Sequence, residues 1–195
     1  MNLLGNGLHY AKHYEDALSV REAELSTRRR LGHSEDTILA VQNNLASSYE
    51  ILGHMDEALR MKLDVYSGLL NLHGKENEKT LIAANNYSST LLGLQRFEAV
   101  KSLLRRTIPM TRRVLGESHE STLKLRWTYA EALYKDDDAT LDDLREVVTT
   151  LEDTARSTHR VFGDSHPLTW GVEDELRQPR AALDARETPP SSASA

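Results

Sequence analysis

The chain has 195 residues, a formal net charge of −6 and a pI near 5.8, a balance that disfavours nucleic-acid binding because phosphate contacts require a clustered basic face. Its 39% apolar and 28% charged residues indicate a folded protein with a large polar surface. It contains no cysteine, which excludes disulfides and fits a cytoplasmic location, and it has no apolar run of the roughly 20 residues that span a membrane.

Four features recur along the chain in the same order. A glycine preceded by a leucine or an aromatic residue recurs with spacings of 42, 42 and 47 residues, at Gly32, Gly74, Gly116 and Gly163. A threonine follows each of them, at Thr37, Thr80, Thr122 and Thr169. The segment 42–49 (QNNLASSY) recurs as 84–91 (ANNYSSTL), and the fourth feature recurs as HYEDAL, HMDEAL and RFEAVK. This self-similarity predicts a repeat architecture.

Each repeat is predicted to hold two helices, because one side-chain stripe recurs at i, i+3, i+4 and i+7. In the first helices of the second, third and fourth repeats the stripes are Gln42, Leu45, Ala46 and Tyr49; Ala84, Tyr87, Ser88 and Leu91; and Arg126, Tyr129, Ala130 and Leu133. The second helices of the last two repeats carry wider stripes, from Leu103 to Leu115 and from Leu151 to Phe162. No stretch alternates with period two, so no strand is expected. The predicted fold class is all-α, with helix pairs that stack to bury one another's stripes.

The repeats are predicted to form one array over residues 1–178. They fall at about 1–34, 35–77, 78–119 and 120–166, followed by a partial capping helix at 167–178. Residues 179–195 are rich in Pro, Ala and Ser and are predicted to be a disordered tail.

Three segments depart from the pattern. The first repeat lacks the start of its first helix, which indicates either a piece of a longer array or an N-terminal edge that self-associates. Pro109 lies inside a second helix, where its missing N–H predicts a kink. The fourth repeat is 5 residues longer, and the extra residues fall near 135–143 (KDDDATLDD). The aspartates there lack the ligand order of an EF-hand loop, so a solvated loop that leads into a helix is favoured over a metal site.

The paired asparagines of NNLASSY, the turn HMDEAL and the connector FGDSHPLT resemble the kinesin-light-chain type of tetratricopeptide repeat. The resemblance covers about residues 2–169. It implies about four repeats stacked as antiparallel helix pairs in a right-handed superhelical solenoid. It also implies a concave groove, lined by the first helices, that binds a protein or a linear peptide. The heptad coiled coil of a true kinesin light chain is absent, so the resemblance does not identify a motor subunit.

The resemblance further implies which residues face the groove, and most of them are small and polar. They are Asn2, Asn6, Asn43, Asn44, Ser47, Glu50, Asn85, Asn86, Ser89, Lys124, Trp127, Thr128 and Glu131. An asparagine amide both donates and accepts, so it can pair with the main chain of any extended peptide; the alternative is that one asparagine of each pair satisfies a neighbouring helix or turn. Trp127 is either an aromatic anchor for the ligand or a cover for the inserted loop. Lys124 is the single cation at these positions, which disfavours a carboxylate clamp.

Nothing in the sequence indicates an enzyme, a cofactor or a metal site. The recurring His33, His119 and His166 are expected to hold turns, and the glycines of segment 5–7 follow no strand and so do not form a dinucleotide loop. The arginines of the second helices are interpreted as a solvated surface, with an acidic partner as the alternative. The leading hypothesis is a scaffold or adaptor that binds a protein or peptide. Its alternative is a regulatory or oligomerisation arm of a larger signalling or motor-associated protein. Neither nucleic acid nor a membrane is an expected partner.

Overall fold

The computed structural model describes residue 7 and residues 13–187, and the latter range forms eight α-helices and no strand. The helices are α1 (Tyr14–Arg30), α2 (Glu35–Ile51), α3 (Met55–His73), α4 (Glu78–Gly93), α5 (Phe97–Leu115), α6 (Glu120–Tyr134), α7 (Leu141–Phe162) and α8 (Pro167–Glu187). The predicted all-α class is therefore confirmed. The predicted groove residues Asn2 and Asn6, and all of the N-terminal edge except Gly7, lie outside the described residues.

The described helices form two compact units, and the division between them falls between residues 94 and 95. In the first unit, α1, α2, α3 and α4 each pack on the next helix in the chain. In the second unit, α5, α6, α7 and α8 do the same, and α6 also contacts α8. The connectors within each unit have three to six residues, so helices that follow one another run antiparallel. In the described part of the chain, no helix combines the length and the apolar character of a membrane span.

The predicted stripes form the core of each unit. The small residues at the same place in three first helices, Ala46, Ser88 and Ala130, are each 0% exposed, which allows a neighbouring helix to approach closely. The stripes of α5 and α7 end earlier than predicted. Val114 and Val161, near the C-terminal ends of these helices, are exposed.

The recurring glycines end helices in a backbone conformation that disfavours other residues. Gly74, Gly116 and Gly163 terminate α3, α5 and α7 with φ angles of 79°, 98° and 80°. In this left-handed region a Cβ atom is strained, so glycine is the usual residue at the end of a helix. The spacing of these glycines therefore sets the spacing of the repeats.

The helices that follow are started by side chains of the connectors. Asn77, His119 and His166 each accept a hydrogen bond from the backbone N–H two residues later, at 2.9, 3.2 and 3.2 Å. This satisfies a donor that the first turn of a helix leaves unpaired. The predicted turn-holding role is thus confirmed for the two histidines. At α2 the capping residue is Ser34, whereas Asn77 and His119 take that place at α4 and α6.

The inserted segment forms a six-residue connector before α7. Asp142 and Asp143 lie in the first turn of α7, as predicted, where negative charge favours the helix dipole. Thr140 and Asp143 form a capping box, with N–H donors 3.1 and 2.9 Å from their acceptors. Asp136 accepts a hydrogen bond of 2.6 Å from Lys101 of α5, which ties the connector to the unit. α5 itself continues unbroken through Pro109.

The last helix is longer than the sequence suggested. α8 begins at Pro167, as expected, but continues through Pro179 to Glu187, so the tail boundary predicted at residue 179 lies inside the helix. The segment after the proline (RAALDARE) consists mainly of strong helix formers, and this outweighs its loop-like composition. Arg180 also donates a hydrogen bond of 2.6 Å to Glu152 of α7.

One face of α8 differs from the other first helices. Arg177 and Arg180 are exposed, whereas Ala130 and Leu133, which lie 47 residues earlier at the equivalent positions of α6, are buried. Arg177 pairs with Asp174 of the same helix at 3.3 Å. Two positions of the stripe that is buried on α6 are therefore charged and exposed on α8.

Candidate peptide-binding site

A cavity of about 240 Å³ opens between α2 and α4 in the first unit, and we call it the α2–α4 slot. Its walls are apolar side chains from three helices: Leu39 and Ala40 of α2, Val65 and Leu69 of α3, and Ile82 and Ala83 of α4. Pockets for drug-sized ligands usually measure about 300–1,000 Å³. The slot is therefore better matched to a single apolar side chain than to a cofactor.

Close packing on α3 places one wall of the slot. A Cβ atom on Gly68 would lie 2.8 and 2.9 Å from the two Cδ atoms of Leu39, closer than carbon atoms pack without strain. Leu39 belongs to a buried cluster with Val65, Leu69 and Ala83. The absence of a side chain at residue 68 thus lets the leucine lie flat against α3 and keeps the slot open.

One end of the slot carries an ion-pair cluster. Asp36 Oδ2 lies 2.5 Å from Lys79 Nζ, and Asp36 Oδ1 lies 2.7 Å from His73 Nε2. The hydrogen bond from Lys79, followed by that from His73, holds the pKa of Asp36 below its ordinary value. Asp36 therefore stays ionised at neutral pH. The cluster forms a polar rim, in which Asp36 and His73 are about one-third exposed and Lys79 is 57% exposed.

The other end of the slot carries two asparagines that are hydrogen-bonded to each other. Asn86 Nδ2 donates to Asn43 Oδ1 at 3.0 Å, across the gap between α4 and α2. The same Asn43 Oδ1 lies 3.3 Å from Lys62 Nζ. Lys62 Nζ also donates to Ser47 Oγ at 2.8 Å and lies 3.7 Å from Glu50 Oε2. Four residues that the sequence analysis placed in the groove thus meet around one buried ammonium group.

Burial of Lys62 shifts its pKa. The side chain is 3% exposed, and this desolvation lowers the pKa, while the nearby carboxylate of Glu50 opposes the shift. Glu50 also accepts a hydrogen bond from Thr90 of α4. Hydrogen bonds and an ion pair therefore connect α2, α3 and α4 at the polar end of the slot.

The remaining predicted groove residues of the first unit lie elsewhere. The backbone oxygen of Asn44 accepts a hydrogen bond of 3.1 Å from Arg21 of α1, so this residue borders α1 rather than the slot. Asn85 has a buried Oδ1 that finds no hydrogen-bond partner in residues 13–187. Ser89 is exposed. The two asparagines of a pair therefore have different contacts. Asn43, the first of its pair, meets Asn86, the second of the next pair.

In the second unit, two of the predicted groove residues pair with residues four positions away in the sequence. Lys124 pairs with Glu120 at 2.6 Å, and Glu131 pairs with Lys135 at 2.5 Å. Thr128 is buried.

Trp127 packs on the backbone of α8. A Cβ atom on Gly171 would lie 2.5 Å from the indole ring, so the glycine makes room for it. The indole N–H is buried and has no acceptor within the described part of the chain. The tryptophan is therefore part of the α6–α8 packing.

Sequence analysis did not single out Lys62, although a signal was present. The residue 42 positions later is Leu104, and the residue 47 positions after that is Leu151; both are 0% exposed members of the second-helix stripes. A lysine in the register of buried leucines is unlike the solvated lysines of a helix surface. It indicates a buried polar contact. Arg21 of α1, which lies 41 residues earlier, is likewise buried and donates to Asn44 and Ser48 of α2.

The arginines predicted to form a solvated outer surface are largely paired within the chain. Arg28 lies 2.7 Å from Glu24, Arg105 donates to Tyr129 at 3.2 Å, and Arg112 pairs with Glu117. In the ranges that the structure describes, no three His, Asp or Glu side chains converge in a group that could hold a metal ion.

Comparison with protein families matches one segment of the chain. A family model described as a tetratricopeptide repeat matches residues 80–121, which include most of α4, all of α5 and the start of α6. A comparison with curated proteins found no match.

Solved structures of repeat proteins share the fold. The nearly identical TPR-like repeats of a candidate kinesin light chain from Podosopora anserina superpose with a TM-score of 0.74 at 18% identity, over 94% of this chain and 85% of that chain. A singly substituted variant of the same repeats gives 0.76 at the same identity and coverage. BtubC (BKLC) from P. vanneervenii gives 0.63 at 15% identity, over 100% of this chain and 84% of that chain. At these identities the likeness establishes the fold.

The helix pairs, their recurring connectors and these likenesses define an all-α helical repeat protein. Residues 80–121 match a tetratricopeptide-repeat family model, and the similar solved structures are kinesin-light-chain-like, which confirms the resemblance found in the sequence. Proteins of this fold are generally scaffolds for protein–protein interaction.

Proposed function

We propose that this chain is a scaffold or adaptor that holds an extended peptide of another protein across α2 and α4. In this proposal one apolar side chain of the peptide enters the α2–α4 slot. The peptide main chain pairs with the amides of Asn43 and Asn86. The ion-pair cluster around Asp36 borders the opposite end of the slot.

The observation that carries the proposal is an apolar slot that ends in an asparagine pair with hydrogen-bonding capacity to spare. Within residues 13–187, neither Asn43 Nδ2 nor Asn86 Oδ1 has a hydrogen-bond partner. A donor and an acceptor side by side match the peptide group, whatever its side chains are. An apolar cavity with a few convergent polar groups is the usual form of a binding site.

The asparagine pair provides the first test. Peptides selected from a random phage-displayed library on the native chain would be labelled, and their affinity measured by fluorescence anisotropy. Asn43→Ala with Asn86→Ala removes two hydrogen bonds, each worth about 0.5–1.5 kcal/mol, so affinity should fall about 5- to 150-fold. The matched control is Asn71→Ala, which changes an exposed asparagine of α3 outside the slot and should leave affinity unchanged. Wild-type affinity in the double variant would refute the proposed site.

The slot provides the second test. Ile82 is 38% exposed and lines the slot, so Ile82→Asp places a charge where the apolar side chain should bind and leaves the core intact. Binding of the selected peptide should be lost, because an unpaired carboxylate resists desolvation. The control is Leu63→Asp, at a leucine of α3 that is 42% exposed and outside the slot. Equal loss in both variants would mean that charge, and not the slot, governs binding.

A further inference from the structure

Packing at the position of Lys62 does not require a cation. The equivalent residues of α5 and α7, Leu104 and Leu151, are 0% exposed and apolar. A buried ammonium is costly unless its donors are satisfied, and burial of charge contributes little to stability compared with an apolar side chain of similar size. The lysine therefore calls for an explanation other than core packing.

One of the contacts of Lys62 reaches the side chain of the asparagine pair, and others go to Ser47 Oγ and to the backbone oxygen of Asn43. Asn43 Oδ1 accepts from Lys62 Nζ at 3.3 Å and from Asn86 Nδ2 at 3.0 Å, which uses both of its lone pairs. Rotating the amide by 180° would set the Nδ2 group of Asn43 against two donors. The carbonyl of Asn43 is therefore held inward, and its Nδ2 group is presented to a ligand.

We infer that Lys62 is the positioning residue that fixes the polarity of the asparagine pair. With Lys62 in place, the pair offers a hydrogen-bond donor at Asn43 and an acceptor at Asn86. An extended residue presents its N–H and C=O along one edge, so a peptide that meets this pair is held with its main chain in one direction. This inference rests on the proposed function.

Side-chain NMR of the free protein tests the positioning without a ligand. The Nδ2 signals of Asn43 are assigned by their loss in Asn43→Ala, and their ¹⁵N relaxation reports how rigidly the amide is held. Lys62→Met keeps the length of the side chain but removes its donors, and it should leave the Asn43 amide mobile. Lys101→Met is the matched control, since Lys101 is also buried and pairs with Asp136 in the other unit. It should leave the Asn43 signals unchanged.

Binding of a library-selected peptide tests the functional consequence. Lys62→Met should weaken the affinity about two- to tenfold, the cost of ordering one freed side chain on binding. Lys62→Arg, which restores donors, should recover part of the loss. Asn43→Asp keeps both accepted hydrogen bonds and adds attraction to Lys62, yet it has no donor to offer. It should therefore keep the fold and weaken the peptide at least about tenfold.

The outcomes separate this inference from the proposed function. If the Asn43 signals and the peptide affinity are unchanged in Lys62→Met, the positioning role is refuted while the slot remains a valid site. If no peptide depends on the asparagines, the proposed function fails, and the relaxation data still decide whether Lys62 holds the amide. Should Lys62→Met fail to fold, Asn43→Asp decides: wild-type affinity in that variant overturns the assigned polarity.

Discussion

Adding one methyl group to α3 should reveal how tightly the wall of the slot is packed. In Gly68→Ala, the gain in helix propensity is about 1 kcal/mol. Against it stands the contact of the new Cβ with Leu39, at 2.8 and 2.9 Å from its Cδ atoms. Overpacking of this kind costs about 1–3 kcal/mol. The free energy of unfolding should therefore be unchanged or fall by up to about 2 kcal/mol, instead of rising by about 1 kcal/mol.

A double-mutant cycle isolates the contact. Leu39→Ala alone should cost about 2–5 kcal/mol, because the leucine is 5% exposed. In that background the clash is absent, so Gly68→Ala should show its full propensity gain of about 1 kcal/mol. Urea unfolding followed by circular dichroism gives the four free energies, and the coupling should be about 1–3 kcal/mol. A coupling below about 0.5 kcal/mol, with equal m values, would refute the packing argument.

Three further outcomes are expected. Trp127→Phe should change the free energy of unfolding by less than about 1 kcal/mol, because removal of the unpartnered indole N–H offsets the lost packing contacts. The fluorescence of the variant should come from the exposed Trp170 alone, and a remaining contribution from a buried tryptophan would contradict this. The imidazole of His159 hydrogen-bonds to Glu173, which has the larger effect, and to Asp164, and both contacts raise its pKa. The contribution of His159 to stability is therefore fully present below about pH 6.5, the ordinary pKa of histidine, and is lost as the pH rises through the raised pKa of the folded state. Hydrogen exchange of α8 measured against pH should show this loss, and His159→Gln should remove it. Pro109→Ala should raise the free energy of unfolding by about 2 kcal/mol. Proline inside a helix costs about 3 kcal/mol, and its removal gives back up to about 1 kcal/mol because the unfolded chain becomes more flexible. If urea unfolding instead gives a lower free energy of unfolding, the proline stabilises the helix where it lies.

The fold was predictable from the sequence because the residues of each helix pair carry its pattern locally. The stripe spacing gave the buried faces of α2, α4 and α6, and the recurring glycines gave the ends of α3, α5 and α7. Composition is a weaker guide than periodicity. The Pro and Ala content of residues 179–187 predicts a tail, yet Ala and Arg favour the helix that forms there.

The candidate site was only partly predictable, because it depends on distances between helices. The asparagines were found as pairs within one helix, and the repeat register aligns Asn43 with Asn85. The structure instead brings Asn43 together with Asn86, one position further along α4. The offset between two stacked helices is a packing property that no single repeat encodes. The spacing of apolar residues does not distinguish Lys62, because its burial is indicated only by its alignment with Leu104.

The charged face of α8 limits how the chain can be lengthened by design. Grafting another helix pair after α8 would press a new helix against Arg177 and Arg180, where the earlier repeats have small or apolar residues. Each guanidinium group would lose its water, and several kcal/mol would be lost per group unless the pairs Arg177–Asp174 and Arg180–Glu152 stayed intact under the new helix. A design that extends the array should therefore first introduce Arg177→Ala and Arg180→Leu, whereas a design that keeps the array short should retain both arginines.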